Sequence, residues 1–167
     1  APVSFSDVTG TVLDLMVDIS QAQDILLVGT EKGLFRSVNG GLTLTQVPSI
    51  PATSAVWSLA RTSVGWFAAT RDMNQASPNY QFGILYQSVD QGATWTVSTD
   101  PLMANEPFGR FTLAVAQPGD ATIYAFAADK TGQATYDLYV SQNGGSAWTK
   151  KNLVPKVPAN ANVDQTD

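Results

Sequence analysis

One short pattern occurs three times in this chain of 167 residues and constrains its fold more than any other feature. Each copy reads Ser-x-Asp/Asn-x-Gly-x-x-Trp/Leu, at residues 37–44, 88–95 and 141–148. The serines at 37, 88 and 141 are therefore 51 and 53 residues apart. A period of about 50 residues is typical of proteins that stack one supersecondary unit several times.

The sequence around each copy repeats as well, as four segments with strand-like alternation of apolar and polar residues. The predicted first strands are 12–18, 56–61 and 111–116, and the second strands are 25–30, 65–70 and 122–128. The third strands are 33–36, 83–87 and 137–140, and the fourth are 42–47, 94–98 and 147–150. Residues 12–19 also have helical spacing, but their alignment with the β-branched and aromatic segments 56–60 and 111–115 favours a strand.

Each copy of the pattern, which we call a box, carries the residues of a tight turn. The box residues are Ser37, Asn39 and Gly41, then Ser88, Asp90, Gly92 and Trp95, then Ser141, Asn143, Gly145 and Trp148. We expect the Asp or Asn side chain to accept a hydrogen bond from the backbone N–H two residues on, and the glycine to supply a positive φ. The tryptophan is expected to cover the base of the hairpin, and Leu44 takes that position in the first box.

These boxes resemble the Asp-box, or BNR, repeat found in sialidases, xyloglucan-active glycoside hydrolases, sortilin-type receptors and photosystem assembly factors. The resemblance implies an all-β protein built of β-propeller blades, each with four antiparallel strands and a box between its third and fourth strands. Residues 1–167 then form one partial propeller with three blades, at 8–50, 51–100 and 108–153, followed by a linker or loop at 154–167.

Composition excludes several classes of function. The net charge of −5 argues against nucleic-acid binding, which needs clustered Lys and Arg. The chain has no Cys and no His, and only one box carries a carboxylate, so we expect no disulfide, metal site or cofactor. No apolar stretch is long enough to span a membrane. The low charged fraction of 14% favours a secreted, periplasmic or cell-surface location.

The resemblance raises the question of glycoside hydrolysis, which two arrangements of residues could support. A sialidase-like site needs three converging arginines and a Tyr/Glu pair, but Arg61 ends a first strand whereas Arg110 begins the next one, so they should project to opposite faces. Neither glutamate lies near a suitable tyrosine in sequence. The other arginines are Arg36 and Arg71.

A xyloglucanase-like site needs two carboxylates about 5–10 Å apart across a cleft. The candidates are Asp14, Asp18, Asp72, Asp120 and Asp129. Asp14 and Asp18 have even spacing on one strand, so we expect them to line a central channel as a polar surface, with any catalytic partner in blades outside this chain. No catalytic residue is assigned, and a protein without enzymatic activity is favoured.

A binding surface is easier to place. The loops between second and third strands are long in the second and third units, at 71–81 and 129–136, but only Glu31 and Lys32 in the first. Long loops on a rigid scaffold commonly carry binding residues. The candidates are Arg71, Tyr80, Phe82 and Tyr136. The aromatic residues either stack on a carbohydrate or partner protein or shield the outer strands, and both interpretations stay open.

Three blades are too few to close a propeller, because closed propellers have about four to eight. Two apolar end faces would be left uncovered, and we expect further blades to cover them. These blades would come from the same precursor, which is favoured, from another polypeptide, or from a second copy. The expected function is a structural or protein–protein interaction segment; the alternative is part of a sialidase- or xyloglucanase-like glycoside hydrolase.

Overall fold

The computed structural model describes residues 8–117 and 120–153, and all structural statements below concern these residues. They form three four-stranded antiparallel sheets, each with its strands in sequential order. We call the sheets blade 1, blade 2 and blade 3. The predicted linker at 154–167 lies outside the described residues.

The strand bounds follow the repeat. Blade 1 contains β1 (Val12–Asp18), β2 (Ile25–Thr30), β3 (Gly33–Ser37) and β4 (Thr45–Gln46). Blade 2 contains β5 (Ser54–Arg61), β6 (Trp66–Asp72), β7 (Gly83–Ser88) and β8 (Thr96–Val97). Blade 3 contains β9 (Phe111–Val115), β10 (Ile123–Ala128), β11 (Thr135–Ser141) and β12 (Thr149–Lys150). The all-β prediction of four strands per unit is confirmed, and the helical alternative for residues 12–19 is wrong.

Two local features differ from the sequence prediction. Each fourth strand is only two residues long, because the end of the box hairpin takes up the residues before it. A short helix, α1 (Pro101–Asn105), connects blades 2 and 3 and was not predicted. The Asp100 side chain caps it by accepting from the N–H groups of Leu102 and Met103, and Pro101 fits the first helical turn.

The hydrophobic core lies between the blades. Alternate residues of each strand face the preceding blade and the following blade, because successive side chains point to opposite faces of a sheet. The junction of blades 1 and 2 buries Leu27, Trp66 and Trp95, while that of blades 2 and 3 buries Phe67 and Trp148. Each box tryptophan is thus packed against the preceding blade as well as its own hairpin.

Polar contacts recur at both junctions. The Leu59 N–H of β5 donates to Asp14 Oδ2 of β1 at 2.6 Å, and the Leu113 N–H of β9 donates to Ser58 Oγ of β5 at 3.1 Å. Asp14 and Ser58 hold equivalent positions, since Asp14 pairs with Gly29 and Ser58 with Ala69 in corresponding registers. The first strands β1, β5 and β9 contact one another in order, and we call them the innermost strands. A side chain on β1 and one on β5 therefore each bind the backbone of the next innermost strand.

A second polar contact joins the end of one blade to the box of the next. The Trp95 N–H donates to Ser49 Oγ at 3.0 Å, and the Trp148 N–H donates to Asp100 Oδ2 at 3.2 Å. The fourth strands end where the Val47 N–H donates to the Leu34 carbonyl and the Ser98 N–H donates to the Leu85 carbonyl. Ser49 and Asp100 each lie two residues after these positions.

Inside each box, the serine and the Asp or Asn side chains accept hydrogen bonds from different backbone N–H groups of the turn. The Ser37, Ser88 and Ser141 hydroxyls accept from the N–H of the box glycine at 2.9, 2.9 and 2.8 Å. The box Asp or Asn instead accepts from the N–H four residues on: the donors are Thr43, Thr94 and Ala147. The expectation that this N–H lies two residues on is wrong, because the serine hydroxyl already holds that donor.

The box glycines have the positive φ expected of them. Gly41, Gly92 and Gly145 have φ of 86°, 77° and 84°. The preceding residue is also left-handed in each box, and in the second box it is Gln91 at 58°. At Gly145 a Cβ would lie only 2.4 Å from the Phe67 ring of blade 2, so a side chain is excluded there by contact as well as by φ.

The two outer blades leave sheet faces uncovered. Leu15 is 56% exposed, whereas its equivalents Leu59 and Leu113 are 9% and 7% exposed at the internal junctions. At the other end, Tyr124 is 38% exposed, whereas its equivalents Leu27 and Phe67 are fully buried, at 0%. We call these surfaces the first end face (Val12, Leu15, Val17 and Leu26) and the second end face (Thr112, Ala114, Tyr124 and Phe126).

The contact of Gly145 with Phe67 predicts an unequal response to alanine at two left-handed glycines. Gly40→Ala has a φ of +66° but open space, so it should cost about 1–2 kcal/mol of backbone strain. Gly145→Ala should cost about 1–3 kcal/mol more, because the methyl group overpacks the junction of blades 2 and 3. Urea unfolding of the two variants measures this difference, and equal losses would contradict the packing role of Gly145.

Candidate binding face

The strand order defines two sides of the molecule. Because each sheet is a sequential antiparallel meander, the β2–β3, β6–β7 and β10–β11 loops lie on one side, together with α1. The boxes lie on the opposite side. We call the first side the loop face. Its connections in blades 2 and 3 span residues 73–82 and 129–134, whereas blade 1 has only residues 31–32.

Two of the four predicted binding residues lie in strands. Arg71 belongs to β6, where it pairs with Ala55 and Gly83, so the loop is shorter than the sequence suggested. Tyr136 is the extra residue of a bulge in β11, since Thr135 and Asp137 on either side of it pair with consecutive residues of β10. Tyr80 and Phe82 lie in the 73–82 loop, and both are half-buried.

Arg71 braces the two long loops. Its Nε donates to the Gln81 carbonyl at 3.2 Å, and its Nη2 donates to the Lys130 carbonyl of blade 3 at 2.8 Å. The Lys130 ammonium in turn lies 4.7 Å from the centre of the Phe82 ring. Arg71 and Phe82 of blade 2 therefore both contact Lys130 of blade 3, and these contacts link the two long loops.

Tyr136 belongs to a different cluster, centred on Glu106 just after α1. Glu106 Oε2 accepts hydrogen bonds from Tyr136 Oη at 2.6 Å, from Tyr139 Oη at 3.2 Å and from Lys150 Nζ at 2.8 Å. The Lys150 ammonium also lies 4.8 Å from the centre of the Tyr136 ring. This cluster ties the connection between blades 2 and 3 to β11 and β12.

The electrostatics of the cluster favour an ionised carboxylate and neutral phenols. Burial of Glu106 opposes its ionisation, but the hydrogen bonds from Lys150 and Tyr136 outweigh burial and lower its pKa. Burial, followed by the hydrogen bond to Glu106, raises the pKa of Tyr136 to about 12. The pKa of Tyr139 is also raised, by burial and by the Glu106 charge.

The sequence argument that no glutamate accompanies a suitable tyrosine is wrong in three dimensions. Glu106 is 30 and 33 residues from Tyr136 and Tyr139, and the fold brings them into contact. Tyr136 and Glu106 are hydrogen-bonded to each other, but within the described residues no arginine hydrogen-bonds to either of them, as a sialidase-like site would need. No signal in the sequence linked Glu106 to Lys150, which follows it by 44 residues.

The arginines do not converge. Arg36 donates to the Gln91 carbonyl at 3.0 Å, and Arg61 forms an ion pair with Asp18. Arg110 lies 4.9 Å from the centre of the Trp57 ring, at the opposite end of the innermost strands from Arg61. With Arg71 on the loops, each of the four has its own partner, so the described residues contain no arginine cluster that grips a carboxylate.

The candidate carboxylates are likewise engaged. Asp14 binds the β5 backbone, and Asp18 is buried with Arg61 as its partner, so both lie at the junction of blades 1 and 2. The expectation that they form a polar channel lining is replaced by this junction role. Asp72, Asp120 and Asp129 accept from backbone N–H groups of the turns that follow them.

A cleft of about 320 Å³ opens where the 73–82 loop meets α1. It is lined by apolar side chains, among them Phe82, Ile84 and Met103, and by the polar groups of Asn79 and Glu106. The cleft therefore joins one predicted binding residue, Phe82, to the Glu106 cluster that the sequence did not reveal. Its mixture of amide, carboxylate and aromatic groups suits a hydroxyl-rich ligand or a polypeptide.

Two kinds of site are absent from the residues that the structure describes. No three His, Cys, Asp or Glu side chains are grouped closely enough to hold a metal ion. No helix in the described ranges has the length and apolar character of a membrane span.

Comparison of the structure with solved structures finds β-propeller enzymes. An ancestral GH74 enzyme matches with a TM-score of 0.63 and 21% identity over 85% of this chain and 19% of that chain. The GH74 enzyme of Niastella koreensis matches at 0.60 and 20%, over 82% of this chain and 22% of that one. The GH74 xyloglucanase of Xanthomonas campestris matches at 0.52 and 21%, over 76% and 18%.

The chain has the fold of β-propeller blades. It spans about a fifth of the length of these neighbours, and at this identity the likeness concerns the fold. No protein-family model matches the sequence, and no curated protein matches it.

The Glu106 cluster predicts a specific pH dependence of stability. The pKa of Glu106 is lower in the folded chain than its ordinary value of about 4.3. Its full contribution to the free energy of unfolding is therefore present above that pH. The contribution is lost as the pH falls through the folded-state pKa. Glu106→Gln should therefore lower the free energy of unfolding by about 1–3 kcal/mol at pH 6, and by less at pH 2.

Urea unfolding between pH 2 and pH 6 measures this difference. Glu31→Gln is the matched control, since Glu31 is exposed and accepts one side-chain hydrogen bond, from Thr11. A Glu106→Gln curve parallel to that of the unmodified chain at every pH would show that the carboxylate charge does not stabilise the junction of blades 2 and 3.

Proposed function

We propose that this chain is part of a larger propeller of the Asp-box type and acts as a structural and protein-interaction segment. The supporting observation is the contrast between equivalent residues: Leu15 is 56% exposed on the first end face, while Leu59 and Leu113 are 9% and 7% exposed at the internal junctions. Further blades from the same precursor or from another chain cover these faces. The Ser, Gly and Asp or Asn geometry of all three boxes supports the family assignment.

The loop face is the interaction surface in this proposal. Arg71 links the two long loops by hydrogen bonds, which lowers the entropy cost of ordering them when a partner binds. Phe82 and Tyr80 offer half-buried aromatic surface there. The charge-poor composition, with 14% charged residues, supports a secreted, periplasmic or cell-surface location.

A second candidate function is part of a glycoside hydrolase, favoured by the three GH74 neighbours. In that case carbohydrate is the ligand, and the catalytic carboxylates come wholly or partly from blades outside this chain. The engagement of Asp14 and Asp18 at a blade junction favours the structural function, because a catalytic pair must face an open cleft.

An activity assay separates the two functions. The native assembly is incubated with xyloglucan, and reducing ends are measured for the unmodified protein, for Asp14→Asn and for Asp24→Asn, an exposed aspartate, as control. The structural function predicts no release above background in any of the three. Release that Asp14→Asn abolishes in an assembly of unchanged native mass would establish a hydrolase that uses this chain. Release that both variants retain would place its catalytic groups elsewhere in the assembly.

A further inference from the structure

The second end face repeats the internal junctions of the chain. At each junction, three features of one blade contact the next blade. A side chain on the innermost strand accepts a backbone N–H, and a residue of the second strand packs against the box glycine. A side chain after the fourth strand accepts the N–H of the box tryptophan. Both internal junctions show all three. The free face of blade 3 can therefore be compared with them position by position.

Thr112 holds the acceptor position of the innermost strand. It pairs with Phe126 in the register in which Ser58 pairs with Ala69 and Asp14 with Gly29. Ser58 and Asp14 each accept an N–H from the next innermost strand, whereas Thr112 is exposed. Its hydroxyl has the chemistry and the position to accept the same bond from a fourth blade.

Tyr124 holds the position that meets a box glycine. It pairs with Val140 in β11, one residue before the box serine, just as Leu27 pairs with Arg36 and Phe67 with Gln87. A Cβ on Gly92 would lie 3.1 Å from the Leu27 side chain, and one on Gly145 would lie 2.4 Å from Phe67. Only a turn with glycine at this position can approach the neighbouring side chain so closely. Tyr124 occupies the equivalent position, so its ring is placed to contact a box glycine of a further blade.

The third position differs in a way that makes the new junction more apolar. The Lys151 N–H donates to the Leu138 carbonyl, the same bond that Val47 and Ser98 make in the other blades. Leu153, two residues later, is therefore the equivalent of Ser49 and Asp100. A leucine side chain accepts no hydrogen bond, and Leu153 is 54% exposed. With Phe126, which is 48% exposed, it enlarges the apolar area of the second end face.

We propose that the second end face binds a fourth four-stranded blade with a glycine-containing box, supplied by polypeptide outside residues 8–153, with Thr112 and Tyr124 as its docking residues. This inference rests on the proposed function. The occupant is a blade because the face continues the two internal junctions. It lies outside this stretch because the solved neighbours carry the same fold in chains of which this one covers only 18–22%.

Site-specific photo-cross-linking in the native assembly tests the proposal. The probe is p-benzoylphenylalanine placed singly at position 124, at position 15 on the first end face, and at position 89, where Val89 is 83% exposed on a box away from both end faces. Position 124 should cross-link to a peptide that contains a Ser-x-Asp/Asn-x-Gly hairpin outside residues 8–153. Position 89 should give at least tenfold less product.

The outcomes separate the two levels of the proposal. Cross-linking at position 15 without cross-linking at 124 would overturn the assignment of Thr112 and Tyr124 as docking residues, but it would still support a larger propeller. Failure at both positions would overturn the proposed function as well. A cross-link from position 124 to residues 37–44 of another copy would overturn the proposed occupant, because it would show that a second copy of this chain covers the second end face.

A variant pair tests Thr112 separately. Thr112→Val removes the hydroxyl at nearly constant volume, and it should speed amide hydrogen exchange in the fourth blade's innermost strand about fivefold. Thr112→Ser keeps the acceptor and should restore the slow exchange. Equal exchange in the two variants would show that Thr112 does not bind that strand.

Discussion

The structure depends on the packing of one sheet face against the next. A single four-stranded sheet has two faces, and in blade 2 both are apolar, with Trp66 facing blade 1 and Phe67 facing blade 3. Neither face is stable in water alone, because burial of apolar surface provides most of the favourable free energy of folding. The core of this protein is therefore a series of junctions, and the number of stacked blades decides how much of it exists.

The boxes adapt this packing to a short hairpin. Two successive left-handed residues turn the chain, the serine hydroxyl holds the glycine N–H, and the absence of a Cβ lets the turn approach the preceding blade. The tryptophan that follows is buried at the same junction, and its indole N–H donates to the carbonyl of the box glycine in both boxes that contain it. One eight-residue segment thus ends a strand and binds a neighbouring blade.

Much of this could be predicted from the sequence, because strand alternation and the box recur with a constant period. The alignment of 56–60 with 111–115 does not place Ser58 with Thr112, because a bulge between Val56 and Ser58 shifts the register by one residue. The Glu106 cluster had no such signal, since Tyr136, Tyr139 and Lys150 of blade 3 reach it only once the connection after α1 packs against that blade. The roles of Asp14 and Asp18 were also missed, because strand spacing gives the face of a residue and not its partner.

In the proposed function these blades belong to a larger ring, and the mass of the native assembly shows whether they do. Native mass spectrometry followed by denaturing mass spectrometry of the same sample gives the mass of the complex and of each chain in it. We expect a longer covalent chain, or an additional polypeptide held tightly to the 17.7 kDa of this sequence. A stable monomer of 17.7 kDa, with both end faces in water, would contradict it.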